Sequence, residues 1–384
     1  MDFQLPEEHL ILRDQFRKFL TKEIKPYEEK YKYEDAVPHE VHMEVRRLSR
    51  KAGFYGIHLP EEVGGGGADA LCYVILLEEL GRNLVVHFAT DITGGAGGPT
   101  SILLDGTDEQ IDKYLKPLVN AEKTTCFALT EPDAGSDALA IRTKAEKKNG
   151  KYVIVGRKHF VTNAPYADFA LVIAKTDPSK GMKGITCFIV DKGTPGFEVG
   201  EVHRTMTGTN MHAELIFEDC EVGAGQVLGK EGMGFIQAMK WITLGRLVVA
   251  AECAGCAAGV LGLAAEWANQ RVAFGKPISN YQAIQWMIAD SAIEIYASRS
   301  LLYSSAWKAA QGMDVRKESS MAKLHASEMV CRVVDRALQI FGGMGFMRDL
   351  PIARIFQTTR AARIGEGTSE MQRISIFRRL MEEN

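Results

Sequence analysis

The sequence has no surplus of either charge: 46 Lys and Arg stand against 49 Asp and Glu, a net −3 over 384 residues. That excludes an electrostatic footprint for nucleic acid or for an anionic membrane. Cysteine is scarce and odd in number, seven residues from Cys72 to Cys331. Such usage argues against a disulfide framework and for reduced thiols. The first eight residues, Met1 to Glu8, are acidic and carry no apolar run. They read as neither a secretory leader nor an Arg-rich transit peptide, so a cytoplasmic protein is expected. Sharp catalytic signatures are missing as well. No G-x-G-x-x-G follows a strand and no G-x-S-x-G occurs, so a Rossmann nicotinamide site and a hydrolase elbow are unsupported. His39-Glu40-Val41-His42 lacks the spacing of a zinc helix. Cys253-Ala254-Gly255-Cys256 has no second pair to complete four ligands, so no metal is expected.

One long apolar run is present, Leu247 to Ala265, and its length suffices to cross a bilayer. It carries Glu252 and is mostly Ala, Gly and Cys. Small residues give little drive for insertion but permit close helix packing. A buried bundle helix is therefore expected, with no membrane span.

Three zones follow from periodicity. Up to about Asn120 the pattern is mainly helical, with Leu12, Phe16, Phe19 and Leu20 at helical spacing. Pro38, Pro60, the run Gly64 to Gly67 and the cluster Gly94-Gly95-Ala96-Gly97-Gly98-Pro99 punctuate it. From about Thr125 to Val227 strands take over: Cys126–Leu129, Tyr152–Val155 after an Asn149-Gly150 hairpin turn, Phe169–Ile173, Cys187–Val190 and Leu215–Phe217. From about Gly234 onward the segments Phe235–Gln270, Tyr281–Gln311 and Lys317–Phe341 are long and proline-free, as in a helical bundle. The expected fold is α+β and multidomain: an N-terminal helical domain (1–122), a central β domain (123–230) and a C-terminal four-helix bundle (231–384).

Five segments carry candidate chemistry. Thr130-Glu131-Pro132-Asp133-Ala134-Gly135-Ser136-Asp137 follows the first strand. It is as readily a surface turn as a loop whose N–H groups cradle a phosphate. In Lys158-His159-Phe160-Val161-Thr162-Asn163, alternation places Phe160 and Thr162 on one strand face, suited to a stacked, hydrogen-bonded ring. An ordinary strand with one core aromatic fits equally simple grounds. Arg271-Val272-Ala273-Phe274 ends a long helix and can pair with a phosphate or cap the helix dipole. Gln339-Ile340-Phe341-Gly342-Gly343 permits close approach of a ligand or forms a glycine C-cap. In Arg363-Ile364-Gly365-Glu366-Gly367-Thr368, Glu366 stands between two glycines. Burial would raise its pKa toward that of a useful base; exposure would leave an ordinary loop acid.

These five segments, in this order, resemble the acyl-CoA dehydrogenase family over essentially the whole chain. The resemblance implies FAD as cofactor and oxidation of an acyl-CoA thioester to the trans-2-enoyl-CoA, as in fatty acid β-oxidation. It implies electron transfer to electron-transferring flavoprotein and a homotetramer built as a dimer of dimers. It places Phe127, Leu129, Thr130 and Ser136 in the FAD loop, with Ser136 also near substrate, and Phe160 and Thr162 on the other flavin face. Arg271, Phe274 and Gln282, with Gln339, Gly342 and Gly343, are implied to reach the FAD of a neighbouring subunit. Thr368 and Glu370 match FAD contacts, and Gly367 and Arg246 match positions near bound acyl-CoA.

The resemblance assigns the catalytic base to Glu366. Some members place the base just before the residue matching Arg246, but here that position is Gly245, which has no side chain. An enoyl-CoA reductase, an acyl-CoA oxidase or a non-catalytic member would share the same motifs. Three positions depart from the family pattern: Phe160 where many members have Trp, Asp133 where Gly is common, and Gly365 where several straight-chain enzymes have Tyr. The last is expected either to open the acyl pocket to branched or bulkier chains or to be compensated elsewhere.

Overall fold

The computed structural model describes residues 5–95, 97–208 and 211–383. Met1 to Gln4 and Ala96, part of the patterns read above, lie outside the described residues. The chain divides into two compact units, one of residues 1–34, 68–89 and 242–384, the other of residues 35–67 and 90–241.

The helices that matter are α1 (Glu7–Phe19), α2 (His39–Lys51), α3 (Ala70–Arg82), α4 (Gly234–Gln270), α5 (Gln282–Ala310), α6 (Arg316–Phe341), α7 (Ile352–Thr359) and α8 (Ser369–Glu383). The helical spacing read near the N-terminus is met by burial of Phe16, Phe19 and Leu20. Helix α3 starts where Asp69 accepts a hydrogen bond from the Cys72 N–H at 2.7 Å, satisfying one of the orphan donors of its first turn. Within the helical unit, α6 packs on α5, α7 and α8, and α3 packs on α5.

The apolar run of α4 is long and apolar enough to cross a membrane. Several of its small residues nevertheless face protein. A Cβ at Gly255 would lie 1.9 Å from the Glu78 carbonyl oxygen, and one at Gly259 2.4 Å from that of Arg82. On the facing helix, a Cβ at Gly81 would lie 2.5 Å from the Glu252 carbonyl. Helices α3 and α4 therefore meet backbone to backbone, which is what the Ala/Gly composition is for.

The other unit is built on a seven-stranded sheet: β1 (Thr125–Ala128), β2 (Lys144–Lys148), β3 (Lys151–Thr162), β4 (Phe169–Lys175), β5 (Ile185–Asp191), β6 (Phe197–His203) and β7 (His212–Gly223). The order is β1-β4-β2-β3-β7-β6, with β5 also on β4. Strand β4 is apolar almost throughout because both its faces are covered. Phe169, Leu171 and Ile173 enter one core with Leu103, Leu118, Ile189 and Phe235, and Ala170, Val172 and Ala174 enter the other with Phe188, Val190 and Phe217. Alternation thus assigns successive residues to two cores. The expected turn at Asn149-Gly150 joins β2 to β3, with Lys148 opposite Lys151. Strand β6 has no counterpart in the sequence reading, since Glu198, Gly200 and Glu201 interrupt its apolar signal.

Candidate active site

In the sheet unit, β1 ends and the chain enters the glycine loop. Phe127 is half-buried against Trp241, ring centroids 4.8 Å apart. The loop closes on itself through paired backbone bonds between Glu131 and Ala134, and the Thr130 carbonyl accepts the His159 N–H at 2.8 Å. Its anchor is a pair that pattern reading missed. Lys158 is fully buried and donates to Glu131 Oε1 at 2.8 Å and to the Leu129 carbonyl at 3.0 Å. Glu131 also accepts the N–H groups of Arg142 and Thr143. Burial raises the Glu131 carboxyl, but Lys158 and these donors outweigh it and hold the group below its ordinary value. Burial pushes Lys158 down to about 8, still protonated at neutral pH. The signal that could have found the pair is Lys158 itself, a charged residue at an inward strand position. Ser136 lies exposed beyond the anchored turn. Asp133, unexpected for a phosphate loop, turns away and pairs with Arg142 at 2.9 Å on the surface.

Strand β3 is irregular where it carries Phe160 and Thr162. Its register with β7 shifts between Lys158 and Val161, and Phe160 sits at φ 54. A bulge therefore interrupts the pairing just before this stretch, while burial still alternates through exposed Phe160, buried Val161 and half-buried Thr162. Phe160 is 60% exposed, a large ring left uncovered at a backbone conformation L residues rarely adopt. It packs edge-on to His159 and His203, and His159 Nδ1 lies 3.0 Å from Glu214 Oε1. Thr162 is half-buried opposite His212.

In the helical unit, Arg271 closes α4 and is followed by a tight two-stranded hairpin, Val272–Ala273 against Lys276–Pro277. Phe274 at its tip has φ 51 and is 93% exposed, and Arg271 and Gln282 are exposed too. Gln339, Gly342 and Gly343 are exposed at the end of α6. Thr368 caps α8, its hydroxyl accepting the Met371 N–H at 3.3 Å, and Glu370 is exposed on the first turn.

Glu366 occupies the loop before α8 at φ 54, followed by Gly367 at φ 88. The loop is fixed, not swinging. The Glu366 carbonyl accepts Gln372 Nε2 at 3.0 Å and Arg246 Nε at 3.4 Å. The Gly367 carbonyl accepts Gln372 Nε2 at 2.9 Å and Lys323 Nζ at 2.7 Å. Arg246 also reaches Ser320 Oγ at 3.1 Å. Lys323 and Gln372, both fully buried, were not among the residues read from sequence. The Glu366 carboxyl rests on α4 where no side chain stands: a Cβ at Gly245 would lie 3.2 Å from its Cδ and Oε2. The residue keeps some solvent contact. Burial nevertheless pushes the carboxyl above its ordinary value, against the opposing pull of Arg246 and Lys323. A carboxylate so placed is a competent proton acceptor. A Cβ at Gly365 would meet only the Ala361 carbonyl oxygen at 3.8 Å, so the position has room for a side chain it lacks.

Comparison with known proteins agrees with this geometry. Residues 6–122 match the N-terminal domain of acyl-CoA dehydrogenase, residues 126–220 its middle domain and residues 232–381 its C-terminal domain. A 3-(aryl)acrylate reductase of Clostridium sporogenes is 40% identical, the match covering 98% of this chain and 99% of that protein. An acryloyl-CoA reductase (NADH) of Anaerotignum propionicum is 39% identical, covering 100% of this chain and 96% of its own. A solved structure described as the electron transferring flavoprotein of Acidaminococcus fermentans superposes with a TM-score of 0.91 at 39% identity, covering 99% of this chain and 100% of that one. Three domain matches in series and relatives of equal length lead to one conclusion: the chain belongs to the acyl-CoA dehydrogenase family of FAD-dependent oxidoreductases.

Proposed function

We propose that this protein catalyses α,β-dehydrogenation of an acyl-CoA thioester to the trans-2-enoyl-CoA, with Glu366 as the base that removes the α-proton and electron-transferring flavoprotein as acceptor. The observation that carries this is the Glu366 carboxyl, raised by burial and seated over Gly245. A thioester α-proton is a weak acid, so the developing enolate needs hydrogen-bond donors, and the Glu366 N–H is the donor we assign on this chain. Arg246 and Gln372 hold the Glu366 carbonyl and so steady the loop that carries that N–H. Arg246 and Gly367 are the residues assigned near bound acyl-CoA.

The FAD family cofactor fits the residues present. Phe160 offers an uncovered ring, with Thr162 two residues on at the end of β3, and Phe127, Leu129 and Thr130 lie on β1 and in the loop that follows it. When bound, FAD supplies the acceptor for the β-hydride. The exposed set Arg271, Phe274, Gln282, Gln339, Gly342 and Gly343 is assigned to FAD contacts made across a homotetramer interface, and Thr368 and Glu370 are assigned to FAD contacts beside the Glu366 loop. The three-domain scheme, 1–122, 123–230 and 231–384, is retained as part of this proposal.

One observation favours a second reading, the same site working as an enoyl-CoA reductase. Both relatives named above bear reductase names, one of them for an aryl acrylate. The open space at Gly365 suits a bulky or aryl acyl group. One experiment separates these readings: anaerobic flavin bleaching with a panel of straight, branched and aryl acyl-CoAs, then reoxidation by the matching enoyl-CoAs. Bleaching with electron transfer to the flavoprotein supports dehydrogenation. Fast reoxidation by aryl enoyl-CoA with negligible forward turnover transfers the assignment to the reductase. Rapid peroxide release would indicate an oxidase, and protein that takes up no FAD a non-catalytic member.

A further inference from the structure

We propose that Lys323 is a positioning residue for Glu366: its ammonium clamps the Glu366–Gly367 backbone and sets the positive charge that the Glu366 carboxyl faces. The proposal rests on the reading of Glu366 as the base. Lys323 lies on α6, is fully buried, and donates to the Gly367 carbonyl at 2.7 Å. Burying an ammonium is costly unless it is well paired, and a neutral donor would satisfy one carbonyl at less cost. A cation at this place therefore calls for a reason.

The loop supplies one. Glu366 and Gly367 are consecutive residues at φ 54 and φ 88, a conformation unfavourable for Glu and natural for Gly. It persists only if the surroundings over-determine it. Three side chains do so: Arg246 from α4, Gln372 from α8 and Lys323 from α6 all donate to the two carbonyls. A larger residue after Glu366 would be strained at φ 88, and its Cβ, 2.9 Å from Gln372 Nε2, would push that amide away from the two carbonyls. Arg246 and Gln372 together could hold the carbonyls without Lys323. What Lys323 adds is charge.

The groups that face one another are few. Glu366 feels Arg246 on α4 and Lys323 on α6, both favouring its ionised form. Lys323 in turn feels Glu366, Cys253 and Arg246 on α4, and Glu328 on its own helix. The α8 residue in this contact, Gln372, is neutral. Burial pushes Lys323 down to about 8, so it is charged where the Glu366 carboxylate works. Removing that charge leaves burial and Arg246 alone to set the base, and the base must then hold its proton to higher pH.

The test is single-turnover flavin reduction by the best acyl-CoA, measured against pH, in Lys323→Met, Lys323→Gln and Lys323→Arg, with KM from steady state. Lys323→Met is expected to reduce the rate by about tenfold or more, with KM changed less than about threefold, and to move the acid limb to higher pH. Lys323→Gln keeps a donor without charge; it recovers rate but keeps the displaced limb. Lys323→Arg restores the limb. A wild-type acid limb in both Lys323→Met and Lys323→Gln overturns the proposal. If Lys323→Met loses FAD or melts early, Lys323→Gln against Lys323→Arg decides in the same way. Wild-type protein that is bleached by no acyl-CoA would instead defeat the underlying reading of Glu366.

Discussion

At the scale of single residues, two carboxylates, one in each unit, take their charge state from what surrounds them. Glu366 is raised by burial, and in the proposed function its ionised form takes the α-proton. Activity should therefore fall as pH drops through a value above that of an ordinary glutamate, with the acid limb of kcat as the measurement. Glu366→Gln removes the base while keeping the shape. It should leave the yellow protein intact and cut turnover by about three orders of magnitude, within the range expected for general base catalysis. Near-normal turnover in that variant would refute the assignment. Glu131 is the opposite case, held ionised by Lys158 and two backbone donors. Glu131→Gln strands the buried Lys158 ammonium and should destabilise the protein by about 3–5 kcal/mol, read from denaturant unfolding. Gly365→Tyr fills space in which a Cβ meets little. If that space admits bulky acyl groups, the variant should lose branched and aryl substrates while retaining short straight ones; an unchanged ratio of kcat/KM would show that the acyl chain lies elsewhere.

At the scale of elements, β3 and α4 show how far pattern reading reaches. The strands with apolar runs were legible, because both faces of β4 and β5 are covered and each residue must be apolar. Strand β6 was not, since its exposed face mixes Glu and Gly into the pattern. Within β3 the bulge before Val161 and the positive φ at Phe160 were not legible, because a register shift is a property of the pairing with β7. In α4 the small-residue composition told of close packing but not of the partner. That partner is α3, met through Gly81, Gly255 and Gly259. Gly255→Leu forces its side chain onto the Glu78 carbonyl and should part the two helices. We expect a loss of several kcal/mol, the range of severe overpacking in a close-packed interior, seen as a markedly lower melting temperature.

At the scale of the whole molecule, the sequence by itself determined the class of elements, their order and the residue types offered to chemistry. Apolar periodicity and glycine punctuation are local properties, and the family resemblance follows from motifs that are contiguous in the chain. The candidate base, Glu366 between two glycines, came from the family resemblance, as did Gly245 as a position without a competing side chain. Proximity was not legible. That Glu366 rests on Gly245, 121 residues away by their numbers, and that Lys323 and Gln372 hold its loop, required the helices to be packed. Burial is likewise a tertiary property, and it decides the pKa of Glu252 as well, pushed up to about 7 inside α4. A carboxyl whose folded value is raised favours the protonated folded state. Its contribution is present at low pH and is lost as pH rises toward 7. Relative to Glu252→Gln, the wild type should lose stability between about pH 4.5 and 7 and run parallel above; parallel curves throughout would mean that Glu252 is solvated. Sequence fixes which groups are available; only the fold sets their distance, solvation and charge environment, because those depend on residues remote in the chain.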